Sequence, residues 1–273
     1  MKITILNENI TYKRGLLCEH GLSLLIEQEG KRWLFDTGQT EVFIRNAKRL
    51  GVSLEKLDGI ILSHGHYDHC GGLKTLLQEK GRQLPPVYVR KEAFDGKYAD
   101  KGGEKREEIG IPWERSECPN LRLLTEAKTE IAKGVWLLGR IPYTEGLESF
   151  SPGMFVLRQG AFEADPMADE QMLVFETERG LCVFAGCSHP GILNCLHYVR
   201  DCFPGKKIYS LLAGMHLMHA GQERIQWTVD HLSAWEIEVL MPVHCTGIRA
   251  ISRIREAFPG QYRKAECGDV IEI

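Results

Sequence analysis

No excess of charge of either sign marks this chain: 34 Lys and Arg stand against 37 Asp and Glu, a net charge of −3 at pH 7. A dedicated nucleic-acid binder needs basic surface to neutralise phosphates, so this balance argues against nucleic acid as a partner. No apolar run approaches the roughly 20 residues that cross a bilayer, which argues against a membrane span. The opening MKITILNENI shows neither the charged start nor the apolar core of a secretory signal. Nothing repeats at a fixed period. The nine cysteines are odd in number and lack the spacing of a disulfide framework, so they read as reduced thiols of a cytoplasmic protein. Glycine (28) and proline (11) are at ordinary levels beside 43% hydrophobic and 26% charged residues, which excludes a disordered or collagenous chain.

What is present is a regular alternation of strand-like and helix-like segments over 273 residues, enough to bury one large core. KITIL, LSLLIEQ and KRWLFDTG have the apolar enrichment and turn endings of strands, and GIILS reads as a short buried one. The segment 40–50 places Val42, Phe43, Ala47 and Leu50 on one helical face. Later, QMLVFET, LCVFAG, IYSLLAG and EVLMP are strands. The helices between and after them carry stripes at Ile192, Cys195, Leu196, Val199 and Phe203, at Ile225, Val229, Leu232 and Trp235, and at Ile248, Ile251, Ile254 and Phe258. The pattern predicts a single α/β domain over 1–273. Residues 91–118 are charged and nearly free of periodicity, and read as a surface insertion or lid. A domain of this size is compatible with a homodimer.

The chemistry concentrates in Ser63-His64-Gly65-His66-Tyr67-Asp68-His69-Cys70-Gly71-Gly72. His64 and His66, two apart on an extended segment, project to one side and can hold one ion together. Asp68 and His69 stand at the turn into the next helix, within reach of a second ion. Gly65, Gly71 and Gly72 are expected to let the backbone bend tightly there. Four apolar strands end in histidine, at His64 and His66, His189, His216 and His244, and in open α/β sheets ligands collect at the carboxyl ends of strands. His20, His197, His219 and His231 fall in loops or helices and read as surface or packing residues. Imidazole and carboxylate suit zinc, iron, manganese or magnesium, with zinc the default for a mixed His/Asp catalytic site. A divalent metal polarises a phosphoryl or carbonyl oxygen and lowers the pKa of water to about 7. Two helix starts, at Pro190-Gly191 and Thr246-Gly247, offer free N–H groups to a phosphate or other substrate anion.

His64-x-His66-x-Asp68-His69 after an apolar strand resembles the signature of the metallo-β-lactamase superfamily. Gly186-Cys187-Ser188-His189-Pro190-Gly191, Gly214-Met215-His216-Leu217 and His244-Cys245-Thr246-Gly247 resemble a subgroup of it, the dihydropterin–ribofuranosylaminobenzene phosphate synthases of tetrahydromethanopterin biosynthesis. The resemblance implies an αββα four-layer sandwich with one or two divalent metal ions. His64 and His66 would bind the first ion, Asp68 and His69 the second, and His244 matches the last superfamily histidine. Asp68 would also serve as general base. The chain departs from the family in the middle. No histidine occurs between His69 and His189, and Cys187 stands where a bridging Asp is common. His189 would take over a ligand role, and the bridge would be the Cys187 thiolate, Asp165 or Asp169, or water. His216 would be a ligand, a support for one, or a substrate contact.

The implied activity is that of a metal-dependent enzyme on a phosphorylated small molecule, a transferase coupling a pterin-methyl diphosphate to a ribofuranosylaminobenzene phosphate. A metal-dependent hydrolase of a phosphodiester or lactone needs the same cage. A non-catalytic metal-binding or redox sensor is the third reading, motivated by Cys70, Cys187 and Cys245 beside the histidines.

Overall fold

Where Lys31–Phe35 pairs with Gly59–Ile61, at Trp33, Leu34 and Phe35, both strands are apolar and buried, and parallel strands of this kind require crossover segments. The computed structural model describes residues 1–100, 102, 105–144, 148 and 153–273, with Arg82 described by its backbone alone. These fall into two compact units.

The first unit comprises residues 1–125, the described part of 151–169, and 266–273. Its main sheet has seven strands in the order Val270–Glu272, Lys2–Asn7, Ser23–Gln28, Lys31–Phe35, Gly59–Ile61, Val87–Arg90, Leu121–Leu124. The first four pair antiparallel and the remainder parallel. The helices Val42–Arg49 and Leu73–Lys80 bury Phe43, Ala47, Leu73 and Leu76 in the core with Leu34 and Ile60. Between them, His66 caps the one-turn helix Tyr67–Cys70.

A second, four-stranded antiparallel sheet in this unit runs Ala161–Ala164, Met154–Arg158, Gly96–Asp100, Arg106–Glu108. Two of its strands come from residues 91–118, of which 101, 103 and 104 lie outside the described residues. That stretch lacks hydrophobic periodicity for a physical reason. Arg106–Glu108 is exposed throughout, and the buried side chain of Gly96–Asp100 is a lysine, Lys97. The segment still buries Ala93, Ile109, Trp113 and Cys118, and Trp113 Nε1 donates to the Cys70 carbonyl at 2.9 Å.

The second unit holds the described part of 126–150 and residues 170–265. Its seven-stranded sheet runs Gln261–Tyr262, Val239–Pro242, Ile208–Ala213, Gly180–Ala185, Gln171–Thr177, Val135–Gly139, Lys128–Ala132. The first four strands are parallel and the rest antiparallel. The helices Ile192–Cys202, Gln222–Leu232 and Gly247–Ala257 follow its strands as the apolar stripes predict. Two details differ. Trp235 lies beyond the end of its helix, and Ile248 is 68% exposed, because the last helix turns Ala250 and Ile254 inward instead. All nine cysteines are free thiols, and no helix among the described residues is long and apolar enough to cross a membrane.

Candidate metal centre

In the first unit the His64–His69 loop follows Gly59–Ile61 directly and is almost wholly buried. Its geometry is organised by Asp36, which follows Lys31–Phe35 and is fully buried. Asp36 Oδ1 accepts the Ser63 N–H at 2.7 Å; Oδ2 accepts the Ser63 hydroxyl at 2.8 Å and faces His69 Nδ1 at 2.7 Å. A carboxylate only accepts, so His69 Nδ1 carries its proton and the Nε2 lone pair is left for a ligand. The Ser63 hydroxyl hydrogen is likewise committed to Asp36. Ser63 Oγ then meets His64 Nδ1, 2.9 Å away, as an acceptor, so His64 also keeps its Nε2 lone pair. One carboxylate thereby sets the tautomers of two imidazoles, as partners of metal-binding histidines commonly do.

His64 Nε2 and His66 Nδ1 face each other at 3.0 Å. Burial, with Lys97 adding to it, pushes the His66 imidazole down to about 3, so it stays neutral and able to bind a cation near neutral pH. Asp68 Oδ2 lies 3.2 Å from His20 Nε2 and 3.7 Å from His69 Nε2. His20, expected from the sequence to be a surface or packing residue, therefore belongs to this cluster despite its partial exposure. The three glycines have a role other than the one expected. Gly71 and Gly72 have ordinary helical φ values of −66° and −63°. What they lack is room: a Cβ on Gly65 would lie 2.3 Å from the Ala93 carbonyl oxygen, and one on Gly72 2.1 Å from that of Thr37. Cys70 is a packing thiol that donates to the His66 carbonyl, and burial pushes its pKa well up.

The second unit brings together Cys187, His189, His216, His244 and Cys245 at the carboxyl ends of three parallel strands. Donor atoms of Cys187, His189 and His216 lie within 4.8 Å of one another, as do those of Cys187, His244 and Cys245. The His189 and His216 rings are 4.4 Å apart, and His216 Nδ1 is buried without a hydrogen-bond partner among the described residues. Burial alone would raise the Cys245 thiol. Hydrogen bonds with Cys187 and His216 and the neighbouring His244 instead hold it well below its ordinary range. Thiol, imidazole and an orphaned ring nitrogen form a donor set that fits a divalent metal. The strand ends share a backbone device: Asp36, Ser188, His216 and His244 all have left-handed φ, between 49° and 57°. Such a conformation is costly for a non-glycine residue and concentrates at functional sites.

The other expected residues are placed as follows. Asp165 and Asp169, in the first unit, each pair with Lys97 rather than standing free to bridge. Gly191, with φ of 102°, precedes Ile192–Cys202. The N–H groups of Leu193 and Asn194 in that helix go to Glu148 Oε2, at 2.8 and 3.2 Å, so a phosphate there would have to displace the protein's own carboxylate. Thr246 Oγ1 accepts the Met215 N–H at 3.1 Å, and a Cβ on Gly247 would meet Met218 Cα at 2.7 Å, so both hold the His216 and His244 turns together.

Residues 17–160 match the metallo-beta-lactamase superfamily profile. The 7,8-dihydropterin-6-methyl-4-(beta-D-ribofuranosyl)-aminobenzene-5'-phosphate synthase of Methanocaldococcus jannaschii is 30% identical over 99% of this chain and 95% of its own length. A solved structure described as a metal-dependent hydrolase of the beta-lactamase superfamily is 34% identical, with a TM-score of 0.86 over 100% of this chain and 99% of that one. The metallo-beta-lactamase fold protein YhfI of Bacillus subtilis shares the fold at a TM-score of 0.57 and 16% identity, covering 99% of this chain and 98% of that one. With its family profile, its full-length relative and its fold in agreement, the chain belongs to the metallo-β-lactamase superfamily.

Proposed function

We propose that this chain is a metal-dependent enzyme that couples a pterin-methyl diphosphate to a ribofuranosylaminobenzene phosphate. The observation that carries the reading is the end-to-end likeness to the synthase of Methanocaldococcus jannaschii. His64, His66, Asp68 and His69 would hold metal in the first unit, and Cys187, His189, His216, His244 and Cys245 offer donors in the second. When bound there, a divalent ion, zinc by default, would supply positive charge to balance that of the diphosphate leaving group.

The chain's own residues do the rest. Asp36 and Ser63 hold His64 and His69 in the tautomers whose Nε2 lone pairs would bind a cation. Asp68, between His20 and His69, would accept a proton when it is not tightly coordinated to the ion. In the coupling, the arylamine nitrogen forms a bond to the pterin methyl carbon, the carbon–oxygen bond to diphosphate breaks, and the amine proton passes to Asp68.

A second reading, hydrolysis of a phosphodiester or lactone, is favoured by the 34% identical neighbour described as a hydrolase. Incubating the metal-loaded protein with both pterin and aminobenzene substrates, each alone, and a generic phosphodiester and lactone separates them. The synthase reading expects a coupled product and diphosphate release only when both substrates are present. Turnover of the ester or lactone with no coupled product would overturn it.

A further inference from the structure

Gly65, the residue between His64 and His66, is gripped from outside its own loop. Its N–H donates to Asp169 Oδ2 at 2.7 Å, and Ala93 closes the space where a side chain would stand. The other Asp169 oxygen accepts from Lys97 Nζ at 2.8 Å, and Lys97 also donates to Asp165 Oδ2 at 2.7 Å. Asp165 Oδ1 in turn accepts the N–H of Met167, a residue in left-handed conformation, at 2.8 Å. All four carboxylate oxygens are therefore engaged, and the lysine is 1% exposed. Charge-assisted bonds at this depth are short and directional, and a buried lysine is retained only where it is fully paired.

We propose that Lys97 and Asp169 form a positioning clamp that fixes the Gly65 backbone and so sets how His64 Nε2 and His66 Nδ1 are presented to a metal. The inference rests on the reading of those two imidazoles as metal ligands. Glycine allows wide backbone freedom, and freedom at Gly65 changes the angle between the two rings. The clamp removes it before any ion arrives, which lowers the ordering cost of binding. Asp169 thus acts through a peptide N–H and not as a bridging ligand. Asp165 steadies Lys97 and does not touch Gly65.

The test compares zinc affinity, by competition with a chromophoric chelator, and the visible spectrum of the cobalt-substituted protein for wild type, Asp169→Ala, Asp169→Asn and Asp165→Ala. Asp169→Ala is expected to weaken zinc binding by about 10–100-fold, the usual effect of losing a group that orients metal ligands, and to alter the cobalt bands. Asp169→Asn should recover part of the loss, since its amide oxygen still accepts from Gly65, and it carries the comparison if the alanine variant does not fold. Asp165→Ala should lose stability with little loss of affinity. Folded Asp169 variants with wild-type zinc affinity and cobalt spectrum would overturn the clamp, as would an Asp165→Ala loss equal to that of Asp169→Ala. A wild type that binds neither zinc nor cobalt would overturn the ligand reading itself, and the clamp with it.

Discussion

Asp36→Ala is expected to lower stability by about 3 kcal/mol or more and to weaken metal binding together with it. The substitution strips partners from three buried groups at once: the Ser63 N–H, the Ser63 hydroxyl and His69 Nδ1. Each buried polar group left without a partner costs about 1–3 kcal/mol. The tautomers of His64 and His69 bring a second effect. Without the carboxylate, nothing commits the Ser63 hydroxyl hydrogen, and His64 and His69 are free to place a proton on the nitrogen that should face a cation. Asp36→Asn separates the two effects, because it keeps the shape but presents an amide donor on one side. It should retain more stability than the alanine variant and still lose metal affinity. Urea unfolding of the chelator-treated proteins, with zinc titration of the folded samples, reads both quantities. Full zinc affinity in Asp36→Asn would refute the tautomer argument.

Lys97→Met should cost about 3–5 kcal/mol, the range for breaking a buried ion pair by removing one partner. The loss arises because Asp165 and Asp169 would remain buried, side by side, without a cation. The triple replacement Lys97→Met, Asp165→Asn, Asp169→Asn removes the stranded charges and should regain much of that stability, as apolar or neutral replacements of whole buried ion pairs often do. Thermal unfolding of both variants checks the pair. A Lys97→Met protein as stable as wild type would mean that water reaches the site and the clamp is loose.

The difference between what was legible in the sequence and what was not is one of range. His64, His66, Asp68 and His69 stand within six residues, so spacing alone exposes their chemistry. His189, His216 and His244 are each announced by an apolar strand ending in histidine. The residues that orient the first cluster leave little local trace. Asp36 lies 27 residues before Ser63, and its only signal is the Asp-Thr-Gly that closes Lys31–Phe35. Lys97 sits in a segment full of charge, where a lysine destined for the interior looks like its solvated neighbours. His20 looks like a loop histidine until the fold sets it beside Asp68. The same limit hid the four-stranded sheet, since Arg106–Glu108 has no buried residue to show a period of two. Ile248 shows the converse: an apolar residue in helical register that packing at Ala250 and Ile254 leaves outside.

Elemental analysis of metal per chain in wild type, His64→Ala and His189→Ala proteins decides whether the His64–His69 loop holds metal. The wild type should carry stoichiometric divalent metal and His64→Ala should lose it at unchanged secondary structure, with His189→Ala reporting whether the second unit's donors take part. A wild type without stoichiometric metal, or a His64→Ala protein that keeps all of it, would mean that this loop is not a metal site.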